Sequence, residues 1–113
     1  MHSTELLKGS LQTIVLKLLS ENGRMYGYEI TQRVKELSGG DILLTEGALY
    51  PMLHKLEADG LVVTETVPMG KRIRKYYALT PRGSSLAEEK VREFLEFVRT
   101  MQTVLAIKPL PGQ

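Results

Sequence analysis

His2 and His54 are the only histidines in this 113-residue chain, and there is no cysteine. The missing cysteine excludes disulfides, zinc thiolate sites and thiol nucleophiles together. There is no glycine-rich phosphate loop and no Gly-x-Ser-x-Gly elbow. His54 lies one helical turn from Tyr50 and three residues before Glu57, a neighbourhood that arises readily on any helix. No metal, no cofactor and no catalytic group is therefore expected. The chemistry on offer is non-covalent.

What the sequence does assemble is charge. The formal net charge is only +2, but it is unevenly distributed. Residues 1–44 and 88–113 are each neutral, whereas 45–65 carries Lys55 against Glu46, Glu57, Asp59 and Glu65. Residues 66–87 hold Lys71, Arg72, Arg74, Lys75 and Arg82 with no acid. An acid-free basic segment of this kind is the footprint of a phosphate contact, or else a solvated charge run.

The element beside that segment organises the chain. Thr45 is suited to an N-cap, Glu46 puts a negative charge in the first turn, and Gly60 stands where a left-handed C′ residue is wanted. These bracket a helix from Glu46 to Asp59, with Leu49, Met52, Leu53 and Leu56 on one buried face. The other face mixes small, aromatic and hydrogen-bonding groups. Such a helix is ~20 Å long, enough to cross a major groove. Pro51 lacks an amide donor, so either the first turn survives with Gly47 absorbing the strain, or the helix starts at Pro51.

Upstream, Leu7, Leu11, Ile14, Val15, Leu18 and Leu19 predict a helix over Leu6 to Leu19, closed by Asn22-Gly23. A second helix is expected from Gly27 to Leu37, with Ile30, Val34 and Leu37 inward. Ile42-Leu43-Leu44 reads as a short extended link. Downstream, the β-branched run Leu61 to Val67 predicts a strand, Pro68-Met69-Gly70 a turn, and Ile73 to Leu79 the return strand, with Tyr77 and Leu79 opposite Tyr76. Thr80-Pro81 starts a last helix, expected to run to Ile107. On it Ala87, Val91, Phe94, Val98, Met101 and Leu105 form a heptad seam, broadened by Leu95, Phe97 and Val104. So wide an apolar face is covered either by a second copy, giving a two-fold dimer, or by folding back on its own domain.

Composition bounds the rest: one domain-sized unit, 42% hydrophobic and 25% charged, with no apolar run near the ~20 residues of a membrane span. The N-terminus shows no charged region followed by an apolar core, so a cytoplasmic location is expected. The fold class is mainly α with a small β-hairpin: a winged helix-turn-helix over 1–80, a dimerisation helix over 81–107 and a tail over 108–113.

The motifs carry a resemblance. Tyr26-Gly27-Tyr28-Glu29-Ile30, the run Glu46 to Leu61 containing Gly47-Ala48-Leu49-Tyr50-Pro51, and Arg74-Lys75-Tyr76-Tyr77-Ala78-Leu79-Thr80-Pro81-Arg82-Gly83 resemble the PadR family of bacterial transcriptional regulators. The likeness covers roughly residues 5–100. It implies a homodimeric repressor that binds an inverted-repeat double-stranded DNA operator and lets go when a small molecule or other signal arrives. In short members the last and first helices enclose the dimer interface, and multidrug-sensing members stack planar ligands on an aromatic of the last helix. Phe94 falls at that position, with Phe97 beside it; the lack of tryptophan departs from those members, and packing alone also explains Phe94.

Candidate DNA contacts are Tyr26, Thr45, Gly47, Tyr50, His54 and Lys55, with Lys71, Arg72, Arg74 and Lys75 on phosphate or in the minor groove. Tyr50 has packing under the hairpin as its alternative, and Lys55 a solvated role at the helix end. Tyr28 either reaches a phosphate or is core. Candidate dimer residues are Leu11, Val91, Phe94, Val98, Met101 and Leu105. The competing class is a winged-helix protein-interaction module, which the negative charge around the central helix would suit.

Overall fold

A computed structural model of the chain describes residues 4–106. The elements run α1 (Thr4–Asn22), β1 (Arg24–Tyr26), α2 (Gly27–Leu37), α3 (Glu46–Ala58), β2 (Val62–Met69), β3 (Arg72–Leu79) and α4 (Pro81–Val104). His2, Ile107 and the tail over 108–113 lie outside the described residues.

The core forms where the apolar stripes converge. Val15 and Leu16 of α1, Ile30 of α2 and Leu49, Leu53 and Leu56 of α3 are fully buried, and Tyr77 of β3 closes one side. Local chemistry sets the ends. The Thr45 hydroxyl accepts from the Ala48 amide at 3.2 Å, and the Thr80 hydroxyl accepts from the Gly83 amide at 3.1 Å, so both expected N-caps form. Gly60 takes φ +74°, which lets the Leu61 amide reach back to the Leu56 carbonyl at 2.9 Å and satisfy the end of α3. Pro51 stays inside α3, whose first turn survives ahead of it.

Several expectations are corrected. The sheet has three strands, not two, in the order β1-β3-β2. β1 pairs antiparallel with the base of β3, with Tyr26 opposite Tyr76. Three residues are too few to show a period, and their pairing is with a segment fifty residues away. The hairpin turns at Gly70-Lys71, because Pro68 and Met69 continue β2 opposite Ile73 and Arg72. Proline is tolerated there since β2 is an edge strand. α1 is longer at both ends than its apolar stripe. α4 ends at Val104, with Leu105 as its cap. Leu37 is 62% exposed, since the last residue of α2 lies beyond the core that Val34 reaches. Leu11, a candidate for the dimer surface, is core, with 7% of its surface left for any partner.

α4 packs against α1, with Ala87 buried in the core, while the apolar side chains of its outer half are left largely uncovered. Phe94, Leu95, Phe97, Val98, Val104 and Leu105 remain exposed. Val91 and Met101 are half-buried.

Candidate nucleic-acid interface

α3 buries one face and offers the other. Thr45, Glu46, Gly47, Pro51, His54 and Lys55 are exposed, so the groups read from the sequence as a polar face do form one. A Cβ at Gly47 would have no atom from outside its own helix within 4 Å, so the helix is bare there and open to close approach. The Tyr50 ring centroid is 6.4 Å from that of His54. Tyr50 itself is half-buried, its hydroxyl crowding Gly27 so closely that a Cβ there would sit 2.5 Å from it. It therefore packs the start of α2 onto α3 as well as facing the groove.

That groove runs between the start of α2, α3 and the β2–β3 hairpin, and is lined by Tyr26, Tyr28, Tyr50, Arg72, Arg74 and Lys75. Tyr28 is 57% exposed here, which removes the core alternative. Lys71 and Arg72 are exposed at the hairpin tip, with no salt bridge among the described residues. The other two cations are held. The Arg74 guanidinium stacks 4.0 Å above the Tyr26 ring, Tyr26 meets Tyr76 edge-on at 5.5 Å, and Arg24 stacks 4.2 Å above Tyr76. Hydrogen bonding to Tyr76 holds the Arg74 pKa above its ordinary value. Arg24 also pairs with Glu65 at 2.9 Å. Lys75 lies 3.8 Å from the Glu57 carboxylate of α3, and Glu57 also accepts from the Thr64 hydroxyl at 3.1 Å.

Sequence reasoning named Tyr26, Arg72, Arg74 and Lys75 but missed Arg24, Tyr76 and Glu57 as their partners. Arg24 lies on a strand of three residues, too short for its alternation of exposed and buried positions to be read ahead of the structure. Pairs across strands leave no local signal. Burial pushes the Tyr77 phenol above its ordinary pKa, with Tyr50 and Glu57 adding to it. Among the described residues, no group of three His, Cys, Asp or Glu side chains is placed to hold a metal. No helix of theirs is long and apolar enough to cross a membrane. The arrangement presents cations, phenols and an open helix face to one side, the equipment for an anionic, grooved partner.

The pattern of the transcriptional regulator PadR-like family matches residues 15–89. The chain belongs to that family. A relative, the transcriptional regulator Rv3488 of Mycobacterium tuberculosis, is 35% identical over 95 residues, covering 84% of this chain and 85% of its own. A transcriptional regulator structure from Clostridium thermocellum superposes with a TM-score of 0.82 at 27% identity, over 91% of this chain and 97% of that one. A PadR-like transcription factor from Bacteroides fragilis gives a TM-score of 0.73 at 31% identity, over 89% and 95%. The architecture is thus the PadR winged helix with a long last helix, and the protein is a PadR-family transcriptional regulator.

Proposed function

We propose that the protein regulates transcription by binding double-stranded DNA sequence-specifically as a homodimer, acting as a repressor released by a small molecule or other signal. The observation that carries this reading is the groove, which brings Arg72, Arg74 and Lys75 of the hairpin together with Tyr26 and Tyr28 of the α2 start and Tyr50 of α3, with Lys71 exposed next to Arg72 at the tip. In this reading α3 enters the major groove with Gly47, His54 and Lys55 toward base edges, and the tip lies on phosphate. Thr45 and Tyr26 contribute at the helix starts. The dimer rests on α4, whose seam residues Phe94, Val98 and Leu105 stay exposed on one protomer and need a cover, with Val91 and Met101 alongside. Phe94 and Phe97 line a groove against α1, and we place the effector's seat there. A DNA-bound role puts the protein in the cytoplasm.

Fluorescence anisotropy of a labelled genomic duplex, titrated with protein at several salt concentrations, tests the reading. Affinity should fall steeply and log-linearly with salt, by ~0.9 log units per decade for each phosphate contact. Binding indifferent to salt would favour the protein-interaction module instead.

A further inference from the structure

The first turn of α4 is clamped onto the end of α3. The Thr80 amide donates to the Leu61 carbonyl at 3.0 Å, and the Thr80 hydroxyl donates to the Gly60 carbonyl at 2.8 Å. The same hydroxyl accepts the Gly83 amide. Arg82 reaches the Asp59 carbonyl at 3.4 Å. Gly83 is buried against Leu61 so tightly that a Cβ would overlap the Leu61 carbonyl oxygen. Asp59, Gly60 and Leu61 are the cap and exit of α3, whose own hydrogen bonds they complete. Main-chain atoms of one helix's end therefore seat the other helix's start directly at Thr80 and Gly83, with the longer Arg82 side chain alongside.

We infer that Thr80 and Gly83 are positioning residues that set the separation of the two α3 helices in the dimer, and so the spacing of operator half-sites the protein accepts. This rests on the proposed α4-mediated dimer and DNA reading. If two copies join through α4, that helix acts as a lever to which each α3 is tied directly by this joint, alongside the packing of α4 on α1 around the buried Ala87. Because α4 is ~36 Å long, a small rotation at the joint is magnified along it into a displacement of the distant α3. Dimeric readers of inverted repeats need half-sites about one helical turn, ~10 bp, or a multiple apart, so that displacement is read as spacing.

Two readouts test the assignment. The chain has no cysteine, so Ala48→Cys at the exposed start of α3 gives one spin-label site per protomer. Dipolar spectroscopy then measures the distance between the two α3 helices without DNA. Thr80→Val keeps the side-chain shape and removes both hydroxyl bonds; Gly83→Ala forces the joint apart. Both should broaden the distance distribution or move its maximum, Gly83→Ala more. The second readout takes a half-site enriched from a random duplex pool and places it as inverted repeats of graded separation. Thr80→Val should shift or broaden the preferred separation while affinity for a single half-site is unchanged. An unchanged distance distribution and spacing preference in Thr80→Val overturns the inference, whether or not Gly83→Ala folds. Absence of any intersubunit dipolar signal in the parent protein overturns it together with the dimer. A clear dipolar distance with no duplex binding removes the DNA reading alone, and the distance shift in Thr80→Val still decides the joint.

Discussion

Lys75 and Glu57 form an ion pair across the gap between the return strand of the hairpin and the central helix, 3.8 Å apart with both side chains about two-fifths exposed. The pair spans the two elements assigned to DNA, so one of the hairpin cations is already answered from within the protein. At this exposure the attraction adds little to stability. Its effect is on which charges face a duplex. Glu57→Gln should steepen the salt dependence of binding by up to ~0.9 log units per decade, as Lys75 is freed for phosphate. Arg72→Ala should flatten it by about the same amount, and Lys75→Ala by less. Anisotropy titrations at four salt concentrations check the order.

Phe94 is 41% exposed and Val98 37%, in the middle of the uncovered face of α4. A carboxylate placed there has to be desolvated if that face is buried in a dimer. Phe94→Asp should yield monomers in sedimentation velocity and lose binding to an inverted repeat, while circular dichroism keeps its helical signal. An unchanged dimer would move the interface to another face.

Gly27 and Tyr50 join α2 to α3 by contact, since a Cβ at Gly27 would also lie 2.8 Å from the phenol ring carbon bearing the hydroxyl. Gly27→Ala should cost ~1–3 kcal/mol by overpacking. Tyr50→Leu should recover part of that loss, giving a coupling in a double-mutant cycle by urea denaturation. Additive effects would show that Tyr50 is not held there.

Tyr77 is 1% exposed, and burial first, then Tyr50 and Glu57, raise its pKa above the ordinary value of 10.0. The unfolded chain ionises this phenol near 10 while the folded chain resists. Its contribution to stability is therefore complete below about pH 10 and is lost as pH rises through the folded-state value. Melting temperature should fall across that window, and Tyr77→Phe should lessen the fall relative to its own neutral-pH value.

Local rules reached far in this chain. Thr45, Gly60 and the spacing of Leu49, Leu53 and Leu56 bounded the central helix to within a residue, and Gly27 to Leu37 was read as it stands. Thr80-Pro81 started the last helix for the reasons capping chemistry gives. What escaped was set by residues distant in sequence. Arg24 to Tyr26 becomes a strand only because β3 lies alongside, and Arg74 is held by a ring on that strand. Leu37 and Leu11 carry the right residue type for their stripes, yet where the core ends, not the stripe, decides that one is exposed and the other sealed. The exposure of Tyr28 has the same origin.

The short strand β1 braces β3 only from Tyr76 to Ala78, leaving Arg72 to Lys75 with a single neighbour. The finger is thus stiff at its root and springy outboard, like a cantilever fixed at one end. Lys71 and Arg72 ride beyond that brace, so on the proposed duplex a bend of the tip to follow a narrowing or widening groove would leave Tyr77 and the leucines beneath it in place.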